Sequence, residues 1–371
     1  MHFGVEIDEQ RLVELLTPDT DISTVITADV YGVGEADKLV GKAVAGAGEH
    51  CLVGAVGHDF YNGSRQGAKG FPRFTDPALR GEDGYADYLR MATERSLERI
   101  GVDRFDLLML HNPDRTGFTS EAVWQGMVAI KEAGLADSLG VAPGPANGFT
   151  LDMIDCFDRF GDVIDWAMVI LNPFEPWPGE LVLPAAERAG VKLITRVVDF
   201  GGIFHDDVAP GHEFAERDHR QFRPEGWVED GHDRLVRARE IADRHGLTPL
   251  QLACLWNLSH PAVECVVPTL IEEPNAADST AVSTTKSIEQ KRAELAELPA
   301  INPLTIEEVR AVREIGDNTG SMVLKGGSPD NDGSVHPDNW PIDERLAAVA
   351  DEWEIDVASQ LAKDAPVDVS T

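Results

Sequence analysis

The 371-residue chain carries 65 acidic and 32 basic side chains, which gives a formal net charge of −33 at pH 7. A surface this acidic repels nucleic acid and anionic membranes, so both are excluded as partners. Molar salt shortens the screening length to about 3 Å, and dense surface charge keeps a protein soluble there, so the composition predicts adaptation to a salty cytoplasm. An ordinary acidic bacterial protein is the alternative.

The chain predicts a globular protein of the cytoplasm. Hydrophobic residues make up 43% of it, enough for a large core, and no apolar run approaches the length of a membrane span. The N-terminus has neither a basic region nor an apolar stretch of the kind that directs secretion. Four cysteines stand singly, which is typical of buried side chains in a reducing compartment. Both a monomer and a homo-oligomer remain open.

Short apolar runs alternate with helical patterns along most of the chain, which predicts repeated βα units. The predicted strands are 2–5, 23–27, 51–56, 105–110, 138–142, 164–170, 191–197 and 263–267. The predicted helices are 8–16, 35–46, 84–100, 120–133, 150–160, 180–189, 248–259 and 287–298, with Asp8 and Thr150 as N-caps. Eight such units predict an α/β protein with a (β/α)₈ TIM barrel, whose active site lies at the carboxyl ends of the strands.

Three long loops, 57–83, 198–231 and 269–286, follow predicted strands on that same face, where loops of this length are usually functional or disordered. The first two contain aromatic and arginine residues, as expected of ordered lids over a pocket. We expect residues 1–317 to form the barrel. Residues 318–371 are expected to form an acidic linker and a short helix, near 342–353, that packs on the barrel with Trp340 and Trp353.

Two segments resemble the aldo-keto reductase superfamily. Residues 27–35 read Thr-Ala-Asp-Val-Tyr-Gly-Val-Gly-Glu, and residues 94–114 contain the strand and histidine of Asp-Leu-Leu-Met-Leu-His-Asn-Pro-Asp. Later stretches at 247–253 and 266–268 resemble the corresponding segments of the family and occur in the same order. The resemblance implies reduction of a carbonyl by hydride from NADP(H) or NAD(H). It places Tyr31 as the proton donor and His111 as the group that orients the carbonyl.

The chain departs from the family where an aspartate and a lysine should lower the pKa of the tyrosine. Ile26 stands at the aspartate position, and the lysine position falls on Ala55 or Val56. The chain is therefore predicted to be a divergent member that lacks both residues. No lysine follows this strand until Lys69, so we expect no ammonium group beside the Tyr31 phenol.

The resemblance also implies where a nucleotide would bind. Gly201 and Gly202 follow the seventh predicted strand and Thr269 follows the eighth, while Arg292 lies on the helix that contacts adenine in the family. Several other expected contacts are altered, since the corresponding positions hold Ala142, Pro143, Met168, Ala293 and Glu294.

Further polar residues at strand ends are candidates for substrate binding: His58, Asp59, Arg196 and Asp199. Arg196 and Asp199 could bind an anionic or hydroxyl-bearing substrate, or they could pair with each other. His205, Asp206, Asp207, His212 and His219 crowd one loop, but their spacing matches no closed metal motif, so no metal is expected.

Three functions remain open. The first is an oxidoreductase acting on a carbonyl, polyol or sugar-like small molecule with NADP or NAD. The second is a lyase, dehydratase or isomerase that works on the same barrel without a nucleotide. The third is a non-catalytic barrel that binds a ligand or partner, as potassium-channel β subunits, which resemble this family, partly do.

Overall fold

A computed structural model of the chain describes residues 7–357 apart from 20, 68–69, 145–148, 177–178, 215–217, 224, 274–284 and 317–342. Its centre is a sheet of seven parallel strands that pair in chain order. They are β1 (Thr24–Ile26), β2 (Cys51–Val56), β3 (Phe105–His111), β4 (Ala136–Ala142), β5 (Trp166–Ile170), β6 (Lys192–Arg196) and β7 (Val263–Val267). These confirm seven predicted strands, and the predicted strand 2–5 lies outside the described residues.

Helices follow the strands and cover the outer face of the sheet, as the barrel interpretation requires. They are α1 (Glu9–Leu16), α2 (Glu35–Val44), α3 (Tyr85–Ile100), α4 (Arg115–Thr119), α5 (Glu121–Glu132), α6 (Thr150–Phe160), α7 (Leu183–Ala189), α8 (Trp227–Arg244), α9 (Pro249–Asn257), α10 (Ile288–Ala296), α11 (Ile306–Ile315) and α12 (Glu344–Glu352). None of the helices among the described residues is long and apolar enough to cross a membrane.

One helix prediction and one loop prediction were wrong in detail. Phe149 occupies the N-cap of α6, and Thr150 is the first helical residue instead of the cap. The predicted loop 198–231 ends earlier, because α8 begins at Trp227. Charged residues dominate α8 and hide a narrow apolar stripe that includes Leu235, Ala238 and Ile241, so its helical period is hard to detect in the sequence.

The core has two parts, one on each face of the sheet. A large cluster fills the space between the strands and the surrounding helices. A smaller cluster, inside the curve of the sheet, consists of Ala28, Val53, Ala55, Leu107, Met109, Ala142 and Ile194. Burial on both faces explains why the strands read as continuous apolar runs and not as alternating patterns.

The short helix α12 packs against the outside of the sheet-and-helix layer, on α6. Arg345 pairs with the buried Asp155 of α6, and Arg115 of α4 donates to Asp343 over 2.6 Å. At the other end of α12, the Arg188 guanidinium stacks 3.9 Å from the ring centroid of Trp353. Trp340 and the predicted acidic linker lie outside the described residues.

Candidate active site

Tyr31 and His111 meet at the carboxyl edge of the sheet. Tyr31 lies just after β1 and His111 ends β3, and their ring centroids are 5.6 Å apart with the planes at 89°. Half of the Tyr31 surface remains exposed. Gly32, Val33 and Gly34 all have positive φ angles, which turns the chain sharply into α2 and leaves the Tyr31 ring at the opening of the sheet. We call this opening the barrel mouth.

A carboxylate outside the barrel mouth fixes the segment that carries Tyr31. Asp37 of α2 is fully buried and accepts hydrogen bonds from the Thr27 hydroxyl at 3.0 Å and the Ser96 hydroxyl at 2.8 Å. Arg99 donates to it as well, from Nε at 3.0 Å and Nη2 at 2.8 Å. The chain on both sides of Tyr31 is thereby tied to the same carboxyl group.

His111 is a buried, neutral imidazole. Only 8% of its surface is exposed, and burial holds its pKa well below the ordinary value of 6.5. The neighbouring His58, Arg196 and Arg73 lower this pKa further, because each disfavours a second positive charge. His111 Nδ1 is buried and has no hydrogen-bond partner among the described residues, so a ligand entering the barrel mouth could hydrogen-bond to this ring only at Nε2.

His58 supports the His111 ring from the next strand. The two imidazole centroids lie 5.3 Å apart. His58 Nδ1 is 2.9 Å from the Phe71 carbonyl, and Nε2 is 3.1 Å from the Asn112 amide nitrogen. These two contacts hold the His58 ring in place. It therefore positions His111.

Arg196, the last residue of β6, is the cation that acts on Tyr31. Its Nη2 donates to the Gly144 carbonyl at 2.8 Å and lies 3.5 Å from the Pro143 carbonyl. Burial raises the pKa of Tyr31, and the Arg196 charge opposes that rise. Across the part of the chain that is described, no carboxylate pairs with this guanidinium.

The expected aspartate and lysine positions are apolar. Ala55 belongs to the small cluster inside the sheet, and Ile26 packs against that cluster. Within the described residues no lysine is bonded to the Tyr31 phenol, while Lys69 lies outside them. A guanidinium at the end of β6 thus provides the positive charge near the phenol.

Asp59 and Asp199 organise loops. Asp59 is buried, accepts from the backbone nitrogens of Tyr61 at 3.0 Å and Asn62 at 2.9 Å, and pairs with Arg80. Asp199 accepts from Gly202 N at 2.9 Å and Thr269 N at 2.8 Å. The alternative in which Arg196 pairs with Asp199 is wrong, because both carboxylate oxygens of Asp199 serve these two loops.

The four residues expected to hold a nucleotide are engaged with the protein itself. Thr269 donates its N–H to Asp199 and accepts at its carbonyl from His205 at 2.8 Å. Arg292 donates to the Leu15 carbonyl at 3.1 Å and pairs with Asp19, beside the end of α1.

At Gly202 a Cβ atom would meet Val208 at 2.8 Å, Arg220 at 3.2 Å and Glu273 at 3.3 Å, and the Gly201 carbonyl accepts from Arg220 at 2.9 Å. Side chains of the protein thus fill the space beside both glycines. Gly201, Gly202, Thr269 and Arg292 therefore do not fit a nicotinamide nucleotide in this arrangement.

A buried ion cluster closes this part of the barrel. Arg220 is 2% exposed and donates to Asp218 at 2.6 Å and to both oxygens of Glu273, at 2.6 and 2.8 Å. Lys291, fully buried, pairs with Asp207 and donates to the Ile271 carbonyl at 2.6 Å. These pairs link the loop after β6 to the segment after β7.

Two residues of the barrel mouth escaped the sequence interpretation. Arg73 lies in the loop after β2, where its backbone forms an isolated antiparallel β-bridge with His58. Its side chain donates from Nε to the Asn112 carbonyl at 2.8 Å. Asn112 follows His111 directly and has a φ of 47°, unusual for a residue other than glycine. The position of Asn112 beside the motif histidine was a usable signal, whereas the approach of Arg73 depends on the loop fold.

The crowded histidine loop is not a metal centre in the described part of the molecule. No group of three or more His, Cys, Asp or Glu side chains there could hold an ion. His205 binds the Thr269 carbonyl, and His212 lies 3.6 Å from Glu273. The side chain of His219 lies outside the described residues.

Comparison with known proteins identifies relatives across most of the chain. The model of the "Aldo/keto reductase family" matches residues 8–315. A probable voltage-gated potassium channel subunit beta from Arabidopsis thaliana is 22% identical over 321 residues, or 84% of this chain and 89% of that protein. Versiconal hemiacetal acetate reductase from Aspergillus parasiticus is 23% identical over 283 residues, or 65% of this chain and 72% of that protein.

Solved structures show the same fold. Glycerol dehydrogenase from Gluconobacter oxydans superposes with a TM-score of 0.64 at 19% identity, covering 92% of this chain and 91% of that one. An aldo/keto reductase from Klebsiella pneumoniae in complex with NADP and acetate gives 0.56 at 19% identity, covering 84% and 87%. At this identity the likeness establishes the α/β barrel fold.

Proposed function

Because the chain belongs to the aldo/keto reductase family, we propose that it interconverts a small carbonyl compound and the corresponding alcohol, the substrate being a carbonyl, polyol or sugar-like molecule. Family membership implies NADPH or NADH as the hydride source. No residue is assigned to nucleotide binding, since the four expected ones are engaged within the protein. The proposal rests on the residues of the barrel mouth, and cytoplasmic location and salt adaptation remain part of it.

Tyr31 is the proposed proton donor. Its raised pKa keeps the phenol protonated at neutral pH, as a general acid requires. A nicotinamide nucleotide would supply the hydride to the carbonyl carbon, and Tyr31 would supply the proton, which would pass from the phenol to the carbonyl oxygen and leave a phenolate. The charge of Arg196 stabilises that phenolate, and the exposed half of the ring allows water to return a proton.

His111 is the proposed orienting group. A neutral imidazole with its proton on Nε2 can donate one hydrogen bond to the carbonyl oxygen, which fixes the substrate against Tyr31. The edge-to-face contact between the two rings, at 5.6 Å, is the observation that carries the proposal. It brings one acid and one hydrogen-bond donor to a single small opening.

The test is a pair of measurements on purified protein in high salt. Fluorescence titration with NADPH and NADH measures nucleotide binding, and absorbance of the reduced nucleotide measures turnover of a panel of aldehydes and ketones. Binding of either nucleotide together with Tyr31-dependent turnover is the expected result. No binding at millimolar nucleotide would contradict the proposal.

A second function is favoured by one observation, the internal use of the nucleotide-binding groups around Gly202 and Thr269. In this alternative Tyr31, His111 and Arg196 serve a lyase, dehydratase or isomerase that needs no nucleotide. A non-catalytic barrel that binds a ligand is the remaining alternative, and it has a curated relative in the potassium channel β subunit. Failure of the nucleotide titration would favour these two.

A further inference from the structure

The barrel mouth has a positive electrostatic character although the chain as a whole is strongly acidic. The charged groups shown to act on Tyr31 and His111 are Arg196, Arg73 and His58, and none is a carboxylate. The whole chain, by contrast, has 65 acidic residues for 32 basic ones. Arg196, which has no carboxylate partner among the described residues, is a specific feature of this opening that offsets the general repulsion of anions.

Arg196 is the centre of this feature. Its Nη2 is held by the carbonyls of Gly144 and Pro143, which fixes the direction of the guanidinium. The N–H groups on Nε and Nη1 have no acceptor among the residues that the structure describes. Asp199 follows β6 and Glu175 follows β5, and their carboxylates bind two backbone N–H groups and Arg223, respectively.

We infer that the substrate carries a carboxylate, and that Arg196 binds it while the carbonyl of the same molecule lies against Tyr31 and His111. This inference rests on the proposed function. A fixed guanidinium with free donors matches a carboxylate in charge and planarity, and an ammonium would not give the same directional fit. The substrate class is therefore an oxo acid, with the carboxylate near the carbonyl because Arg196 acts directly on the Tyr31 phenol.

The primary test compares matched aldehydes. Succinic semialdehyde and butanal differ chiefly in the carboxylate, and glyceraldehyde 3-phosphate and glyceraldehyde differ in a phosphate. The wild type should prefer succinic semialdehyde over butanal in kcat/KM by roughly 10- to 100-fold, as expected for a charge-assisted hydrogen bond. In Arg196→Gln the ratio of kcat/KM for succinic semialdehyde to kcat/KM for butanal should fall towards one. Any effect of the substitution on Tyr31 is shared by both substrates and cancels in this ratio.

Two variants provide controls. Arg196→Lys keeps the charge but loses the planar donors, and it should keep only part of the preference. Arg104→Gln removes an exposed arginine paired with Asp137, so its ratio should match that of the wild type. Salt is held constant throughout, because screening weakens charge recognition.

The outcomes separate this inference from the proposed function. Turnover of butanal with no preference for succinic semialdehyde would overturn the inference and leave the reductase proposal standing. A preference confined to the phosphorylated aldehyde would overturn the carboxylate assignment. If no aldehyde is turned over, the inference still requires a thermal shift with succinate that succinamide does not give and that Arg196→Gln abolishes. Absence of that shift would overturn it.

Discussion

The imidazole of His111 and the phenol of Tyr31 meet edge to face, with 5.6 Å between their centroids and 89° between their planes. They come from different βα units, β3 and the turn after β1, so the contact depends on parallel strands ending at one edge. Both side chains are uncharged at neutral pH, since the pKa of His111 is lowered and that of Tyr31 is raised. In the described part of the chain, the charges that act on the two rings come from Arg196, Arg73 and His58.

Replacing Tyr31 tests the proposed proton donor. Tyr31→Phe keeps the ring against His111 but removes the transferable proton, so kcat/KM for any carbonyl substrate should fall by about 10²- to 10⁴-fold. Nucleotide affinity should remain nearly unchanged, because the phenol acts on the carbonyl. Tyr85→Phe is the control, since that hydroxyl lies 3.4 Å from the Thr75 carbonyl and should have little effect on turnover. Comparable losses in the two variants would contradict the assignment.

The pH dependence of reduction follows from the two pKa shifts. His111 has a pKa well below 6.5 and Tyr31 a pKa above 10.0, so neither group changes charge between pH 7 and pH 9. The rate of carbonyl reduction should be flat across that range, measured as kcat/KM at constant salt. A change of kcat/KM with pH inside this range that disappears in His111→Gln or Tyr31→Phe would show that the pKa shift of one of these two residues has the opposite direction.

A buried acid predicts a stabilising substitution. Asp29 is completely buried, and neither carboxylate oxygen has a partner among the described residues. Burial, and then the charge of Asp37, raise its pKa well above 3.8, although the charge of Arg99 and the backbone N–H of Val30 oppose the shift. Above the unfolded pKa the unfolded chain releases this proton while the folded protein keeps it, so the acid lowers stability as pH rises from about 3.8.

Asp29→Asn replaces a buried carboxyl group whose pKa is raised in the fold by an amide of similar size. At pH 7 the variant should be more stable than the wild type, because it removes the cost of burying an acid whose pKa burial raises. The gain should shrink towards zero as pH falls to the ordinary value of 3.8. Chemical denaturation at several pH values measures it, with the exposed Asp103→Asn as control. A destabilised Asp29→Asn at pH 7 would show that the carboxylate is ionised and partnered.

Salt should stabilise the fold. The excess of 65 acidic over 32 basic side chains creates self-repulsion, and raising potassium chloride from about 0.1 M to 3 M shortens the Debye length to about 3 Å or less. We expect the melting temperature to rise steadily over that range. Sorbitol at matched osmolality is the control for stabilisation by any solute that is excluded from the protein surface. A flat or falling melting temperature would remove the interpretation of salt adaptation.

Local patterns in the sequence were sufficient for much of the fold and for the pair at its centre. The strands from Thr24 to Val267 follow short apolar runs, and Tyr31 and His111 lie in segments whose order along the chain is itself diagnostic. The role of Asp199 as a hydrogen-bond acceptor for two loops could not be inferred in the same way. Its bond to the Thr269 backbone joins residues 70 positions apart, and only the folded approach of two loops creates it.

The same limit applies to charge. In the sequence Arg196 and Asp199 look like partners, because they are three positions apart, yet the turn after β6 directs them to different loops. Asp29 reads as one acidic residue among many, and its burial depends on α2 and α3 packing over it. Which ionisable groups end without a partner is a property of tertiary packing.

The tie between Asp37 and Thr27 has a consequence for motion. Their 3.0 Å hydrogen bond closes the segment 27–37 into a small ring, and Arg99 and Ser96 of α3 hold the closing carboxylate from outside the barrel mouth. The amide hydrogens between the two residues should therefore exchange with solvent in one cooperative opening that requires Asp37 to be released. Directed evolution that aims to shift the phenol could then act through α3, at a distance from any bound molecule.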